Sequence, residues 1–289
     1  MNVNEILFDE NARLRSGWRF VIFWVAFISI VAVLAVTMAM IPPSAPRAVV
    51  YLASSLITLT IALFLGWICG RSLEGLPFKA LGASFTKGSL TNLVAGAVIG
   101  GVTLALAVLL AVLFGGLRFE FQGADTSLGI SFIVIIVAAA AEEALFRGYP
   151  FQTFVRSGLA WLAIVITSAI FAAAHLQNPN WSIISVVNTV AAGVWFGIAY
   201  LKTRDLWLVF GMHFMWNWLQ GAVFGIEISG LTALTPVSLL REVDRGPAWL
   251  TGGTYGVEGG IVTTVALIVS IGLIRFLPLD PQAVDRNSS

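Results

Sequence analysis

The chain has 289 residues, of which 58% are hydrophobic and only 11% are charged, and its formal net charge is +1. Soluble domains typically carry about 25% charged residues, so an ordinary water-exposed surface is excluded. The mean hydropathy of +0.92 indicates that lipid is the main solvent. The single Cys69 cannot form an internal disulfide, and the near-zero net charge gives no indication of nucleic-acid binding. These values predict an integral membrane protein.

Eight apolar runs are candidate membrane spans, because a helix needs about 20 residues to cross a bilayer. The sequence therefore predicts an all-α, polytopic membrane protein, a bundle of about eight transmembrane helices. The whole chain, residues 1–289, is expected to form one membrane-embedded domain, because the longest polar segments are too short for a second domain. The runs are 18–41, 48–70, 90–115, 127–147, 159–175, 181–201, 206–226 and 259–277.

The distribution of basic residues predicts the orientation. Eight spans place both termini on the same side of the membrane. With cytoplasmic termini, the outer side holds four of the sixteen Lys and Arg residues and the cytoplasmic side holds the rest. Cytoplasmic loops carry the excess of Lys and Arg, so both termini are expected in the cytoplasm of a multi-pass protein, in a cell membrane of bacterial or archaeal type. The four outer residues are Arg47, Arg118, Arg241 and Arg245.

Two adjacent acids, Glu142 and Glu143, end the fourth span. On a helix their side chains point about 100° apart, which favours different functions. Glu143 and Arg147 are spaced i, i+4 and are expected to form an ion pair, leaving Glu142 directed elsewhere. The alternative is that both acids are solvated at the membrane boundary and inert. The preceding alanines, 138–141, favour close helix packing and burial instead.

The two histidines of the chain also lie in apolar helical sequence. His213 and Asn217 project from one face of the seventh span, where their alternative role is to hydrogen-bond a neighbouring helix. His175 ends the fifth span, a position typical of an interfacial histidine. Together with an acid such as Glu142, two histidines and an amide suffice to activate water and to stabilise an oxyanion.

An antiparallel hairpin would bring Glu142 and His175 to the same depth. Residues 157–158, Ser-Gly, are the expected turn between the fourth and fifth spans. Glu142 lies about sixteen residues before Gly158 and His175 about seventeen after it. This alignment requires the fourth helix to continue past Pro150, kinked at that residue, with Arg147 near the lipid headgroups.

Three motifs in this order resemble the CPBP family of intramembrane proteases, which includes the type II CAAX prenyl proteases and the Abi, bacteriocin-processing proteins. The first is EExxxR, from Glu142 to Arg147. The second is FxxxH, from Phe171 to His175, and the third is HxxxN, from His213 to Asn217. The resemblance covers about residues 75–220.

The resemblance implies an intramembrane endopeptidase whose substrate is a membrane-associated protein or peptide. By this analogy Glu142 and His175 activate the hydrolytic water, and His213 and Asn217 stabilise the oxyanion. The remaining motif residues, Glu143 and Arg147, support the site. The identity of the substrate and the oligomeric state remain open.

The residues leave alternatives for a metal, for the role of Asn188 and for the function of the whole protein. Glu142, His175 and His213 would make a three-ligand zinc site with water as the fourth ligand, whereas a glutamate mechanism without metal uses each residue once and is slightly favoured. Asn188, in the sixth span, is a candidate extra polar group, although a role in holding helices together is favoured. The alternative to an enzyme is a non-catalytic immunity or scaffold protein that binds peptides. A proton-coupled transporter is disfavoured because the sequence shows no internal repeat.

Overall fold

Helices dominate the computed structural model, which describes residues 3–10, 12–38, 44–124, 127–231 and 237–279. Long apolar runs form helices here because a helix satisfies its backbone hydrogen bonds within the segment, as lipid requires. The helices are α1 (Val3–Leu7), α2 (Ser16–Met38), α3 (Arg47–Glu74), α4 (Ser89–Leu113), α5 (Ser127–Phe146), α6 (Tyr149–Arg156), α7 (Ala160–His175), α8 (Ile183–Thr203), α9 (Leu206–Trp218), α10 (Ala248–Thr251) and α11 (Ile261–Ile274).

Each of the eight predicted spans contains an apolar helix, which confirms the all-α, polytopic prediction. Within the described residues, five helical segments are long and apolar enough to cross a membrane by length and composition. One of these five, Leu128–Arg156, runs through both α5 and α6. The apolar helices α7 and α11 are shorter, at 16 and 14 residues. They reach about 21–24 Å, less than the ~30 Å of a hydrocarbon core.

The fourth span breaks at Arg147 and Gly148 rather than at Pro150, where the sequence predicted the kink. Pro150 lies in the first turn of α6. Proline is tolerated there because the first backbone N–H groups of a helix have no intrahelical partner. The helical path does continue to Arg156, as expected, and Gly158 makes the predicted turn with φ +76°.

Helices α4 and α9 cross with their backbones in contact, because glycines face the crossing on both sides. A Cβ atom at Gly100 of α4 would lie 2.8 Å from Cα of Met212, and one at Gly96 would lie 2.9 Å from the carbonyl carbon of Leu208. Gly211 makes the same kind of approach from α9. This crossing determines where His213, the residue after Met212, lies in the bundle.

The remaining helices surround a central space. Helix α5 packs on α3 and α9, whereas α7 packs on α6 and α8, and α8 also packs on α9 and α11. The faces of α5, α7 and α9 that point towards this space carry the three motifs. The protein therefore brings the motifs together from three separate helices of the chain.

The segment after α9 closes one end of this space. A π-helical turn, Leu219–Val223, extends α9, and strand β2 (Leu240–Asp244) then pairs antiparallel with β1 (Leu117–Phe121). This two-stranded sheet is the exception to the helical fold in the described ranges. The sequence predicted only a polar segment over 227–258, but parts of it fold inwards and line the central cavity.

Candidate active site

A cavity of about 270 Å³ lies between the motif-bearing helices, and all four predicted catalytic residues line it. Glu142 reaches it from α5, His175 from α7, and His213 and Asn217 from α9. Most of the remaining wall is apolar, with aromatic rings such as that of Trp195. A few polar groups converging in an apolar pocket are typical of a small-molecule or catalytic site.

The two adjacent acids have different surroundings, as their helical spacing predicted. The Glu142 side chain is 35% exposed and lines the cavity. The Glu143 side chain is only 2% exposed and lies inside the protein. The alanine run contributes to this burial, because Ala139 and Ala141 are buried while Ala138 lines the cavity beside Glu142.

One carboxylate oxygen of Glu143 contacts two partners, the guanidinium of Arg147 and the imidazole of His213. Its Oε1 lies 3.3 Å from Nη1 of Arg147, so the predicted ion pair forms. The same oxygen accepts a hydrogen bond from Nδ1 of His213 at 2.7 Å. Sequence spacing could not show this second contact, because it joins α5 to α9 across 70 positions of the chain.

Arg147 is completely buried inside the protein. Its guanidinium carbon lies 4.6 Å from the ring centroid of Phe171 and 4.9 Å from that of Phe196. It also donates to the carbonyl oxygen of Gly193 at 3.4 Å. The ring faces and the carboxylate together compensate the charge that burial removes from water.

The imidazole of His213 lies between the two acids. Its Nε2 is 3.8 Å from Oε2 of Glu142, while Nδ1 is bonded to Glu143. The ring stacks on Phe196 at a centroid distance of 5.0 Å and meets Phe171 edge-on at 6.3 Å. This packing fixes the ring plane so that Nε2 is the nitrogen next to Glu142.

His175 is the last residue of α7, and its orientation is set within its own helix. Nδ1 lies 2.8 Å from the carbonyl oxygen of Phe171, which can only accept, so Nδ1 carries the proton. In the neutral ring Nε2 then has a free lone pair. The imidazole lines the cavity, so this lone pair can hold a water molecule.

Glu258 was not predicted as a site residue, yet it lines the same cavity. One carboxylate oxygen accepts from Nε1 of Trp216 at 3.2 Å, and the other accepts from the backbone N–H and hydroxyl of Ser229 at 2.6 and 2.8 Å. The acid lies in a glycine-rich loop before α11, a context without periodicity or motif spacing. No signal in the sequence points to it.

Asn188 also lines the cavity, but its contacts are those of a residue that joins helices. Its amide nitrogen donates to the carbonyl oxygens of Glu258 and Gly260 at 2.7 and 2.8 Å. Its carbonyl oxygen accepts from Thr264 at 2.6 Å. These three bonds tie α8 to the start of α11, which is the role that the sequence favoured.

The three zinc ligands considered from the sequence, Glu142, His175 and His213, all line this cavity. Among the described residues, which include Glu142, His175 and His213, no three His, Cys, Asp or Glu side chains lie close enough together to hold a metal ion. His213 is bonded to Glu143 through Nδ1, which leaves Nε2 on the side of Glu142.

Comparison with known proteins supports the resemblance that the motifs carry. Residues 124–219 match the family model described as type II CAAX prenyl endopeptidase Rce1-like. The matched segment contains all three motifs and the helices that bear them. No curated protein and no solved structure matches the chain. In this segment the chain is similar to the type II CAAX prenyl endopeptidases.

Proposed function

We propose that this protein is an intramembrane endopeptidase, similar to the CAAX proteases, that hydrolyses a peptide bond of a membrane-associated protein or peptide. The family match supports a protease in general. The observation that carries the finer proposal is that Glu142, His175, His213 and Asn217 line one cavity. We further propose that the whole chain, 1–289, forms one protease domain around this cavity, with both termini in the cytoplasm.

Water activation is assigned to Glu142 and His175. Glu142 presents a carboxylate at the cavity, and its Oε2 is buried and makes no hydrogen bond. The free Nε2 of His175 would orient a water molecule whose proton passes to Glu142 as the oxygen attacks the peptide carbonyl. The protonated Glu142 would then give its proton to the leaving amine. Burying Oε2 of Glu142 without a hydrogen bond costs free energy, and hydrogen bonds to water and substrate would offset that cost.

Oxyanion stabilisation is assigned to His213 and Asn217, one helical turn apart on α9. The carbonyl oxygen becomes negative in the tetrahedral intermediate and needs donors that already point at it. The Asn217 amide and an Nε2–H of His213 would supply two. Because Nδ1–H of His213 donates to Glu143, the doubly protonated ring has the buried carboxylate as its counter-charge.

Glu143 and Arg147 act as positioning residues in this scheme. Neither lines the cavity, so neither touches the substrate. Glu143 orients the imidazole of His213, and Arg147 holds Glu143 while it packs between Phe171 and Phe196. The arrangement follows the general rule that residues behind a site fix the rotamers of the residues that react.

The test uses purified full-length protein in detergent and a peptide library in which half of the members carry a prenylated C-terminal cysteine. Cleavage is read by mass spectrometry. Glu142→Gln and His175→Ala should each lower the rate by about 10²–10⁴-fold, the usual contribution of a general base. Glu120→Gln, an exposed acid on β1 paired with Arg241, is the matched control and should cleave like the wild type.

Three outcomes would count against the proposal. Cleavage by Glu142→Gln at the wild-type rate would overturn the assignment of the base. Loss of cleavage in a chelator, restored by zinc, would replace the glutamate mechanism by a metal-dependent one. Saturable peptide binding without cleavage by the wild type, across the library, would favour the immunity or scaffold role.

A further inference from the structure

A second cavity, of about 950 Å³, lies at the end of the bundle where α2 begins and α6 ends. Four arginines line it, and two carboxylates do so as well, so its wall has an excess of two positive charges. The other acids of the N-terminal segment, Glu5 and Glu10, do not line the cavity. The charged residues of the wall are Arg13, Arg15, Arg19, Arg156, Asp9 and Glu74.

Two of the arginines form the rigid base of this cavity. Glu74 accepts from Arg156 through both oxygens, at 2.9 and 2.8 Å. Arg19 lies 2.9 Å from the same carboxylate, and the side chains of Arg19 and Glu74 are each only 5% exposed. Arg19 also lies 3.8 Å from Asp9, so the two carboxylates of the wall pair with these two arginines, and the positive excess of the cavity is carried by Arg13 and Arg15.

The other two arginines have donors to spare. Arg15 uses Nε to donate to the carbonyl oxygen of Phe8 at 3.0 Å. In the part of the chain that the structure describes, the guanidinium of Arg13 makes no hydrogen bond or ion pair. Both residues are exposed at the mouth of the cavity. Guanidinium groups recognise phosphate oxygens through paired N–H donors, so the free donors fit a phosphate group.

The opposite wall of the cavity is apolar and continues along the lipid-facing side of α2. Trp18 and Val21 line the cavity and are exposed. Val21, Val25 and Ile28 are spaced i, i+4 and i+7, and each is between 46% and 59% exposed, so they form one apolar stripe along the helix. A ligand that occupies both the arginine-lined wall and the apolar stripe on α2 would have an anionic head and an apolar tail.

We propose that this cavity binds the phosphate headgroup of an anionic phospholipid, with its acyl chains along the stripe on α2. Arg13 and Arg15 bind the phosphate at the mouth, while Arg19 and Arg156, held by Glu74 and Asp9, form the base of the cavity. Basic pockets between transmembrane helices at a membrane surface are suited to this ligand class. The site lies apart from the cavity of Glu142 and His175, so it does not depend on the proposed function.

The test measures melting temperatures of the full-length protein in a nonionic detergent. Phosphatidylglycerol is compared with phosphatidylcholine of the same acyl chains and with inorganic phosphate. A specific ligand in large excess over its Kd should raise Tm by about 3 °C or more, and only phosphatidylglycerol should do so. The double variant Arg13→Gln/Arg15→Gln should keep the basal Tm, because both side chains are exposed, and lose at least half of the shift.

The matched control is Arg118→Gln/Arg245→Gln, which removes two exposed arginines from the opposite end of the bundle. It should retain the full shift. An equal shift with inorganic phosphate would show a site for soluble anions, and an equal shift with phosphatidylcholine would show a general effect of lipid. Either result, or an undiminished shift in the Arg13/Arg15 variant, would overturn the proposal.

Discussion

Nδ1 of His213 lies 2.7 Å from Oε1 of Glu143, so the second acid of the first motif is bonded to the histidine of the third motif. The first acid, Glu142, faces the other ring nitrogen at 3.8 Å. One imidazole therefore separates an acid that lines the cavity from an acid that is buried behind it. The two neighbouring carboxylates therefore have different surroundings.

Removing the charge of Arg147 should destabilise the protein. Arg147→Met leaves Glu143 buried beside only His213, and stranding one partner of a buried ion pair costs about 3–5 kcal/mol. The double variant Glu143→Gln/Arg147→Met should recover much of the lost stability, because neither charge is then stranded. Thermal melting in detergent measures both effects. A double variant that melts lower than the single variant would contradict the buried-pair argument.

Glu142→Gln should melt at the wild-type temperature or above it, although it loses activity. Oε2 of Glu142 is buried and makes no hydrogen bond, and its isostere removes a charge from an apolar cavity. Glu143→Gln is the informative comparison, because it weakens the bonds to both Arg147 and His213 and should melt lower. If Glu142→Gln melts well below Glu143→Gln, the catalytic and supporting roles have been exchanged.

A larger side chain at the crossing of α4 and α9 should push these helices apart and displace His213 in the candidate site. A methyl group at Gly100 would overlap the backbone of Met212, next to His213. Gly100→Ala should therefore destabilise the protein by about 1–3 kcal/mol, as overpacking does, and lower the cleavage rate as well. Gly272→Ala on α11 is the matched control, because nothing lies within 4 Å of its added Cβ atom. The control should melt at or slightly above the wild-type temperature.

Stability should fall as pH rises through the titration of Glu242 on β2. Burial, with the nearby carboxylates of Glu227 and Asp244, raises the pKa of Glu242 from 4.5 to about 8. Between pH 4.5 and about 8 the carboxyl group of Glu242 is therefore protonated in the folded state and ionised in the unfolded chain. The free energy of unfolding falls as the pH rises over that range. Glu242→Gln should flatten the dependence of Tm between pH 5 and 9. The exposed acid variant Glu120→Gln should leave that dependence unchanged.

The proposed orientation can be tested by cysteine labelling. In a Cys69→Ala background, cysteines at Arg15 and Arg71 should react with an impermeant reagent only from the cytoplasmic side. A cysteine at Arg118 should react only from outside. All three positions are exposed. A cysteine that does not react from one side therefore lies on the other side of the membrane. The sequence-based topology also used Arg286, which lies outside the described residues. Labelling of Arg15 or Arg71 from outside would reverse the orientation.

Relationships within a single helix could be predicted from the sequence. The apolar runs determined the helical spans, and the i, i+4 spacings placed Glu143 beside Arg147 and both His213 and Asn217 at one cavity. A helix has a fixed rise and rotation per residue, so spacing alone gives the direction of each side chain. Three motifs of this kind carried the resemblance that the family match over residues 124–219 supports.

Relationships between helices were decided only by the tertiary structure. Three features join distant parts of the chain. Glu143 is bonded to His213, Arg147 is buried between two aromatic rings, and Glu258 lines the cavity. Helix spacing and tilt depend on which side chains meet at each crossing, such as the glycines of α4 against α9, and local periodicity carries no information about that distance.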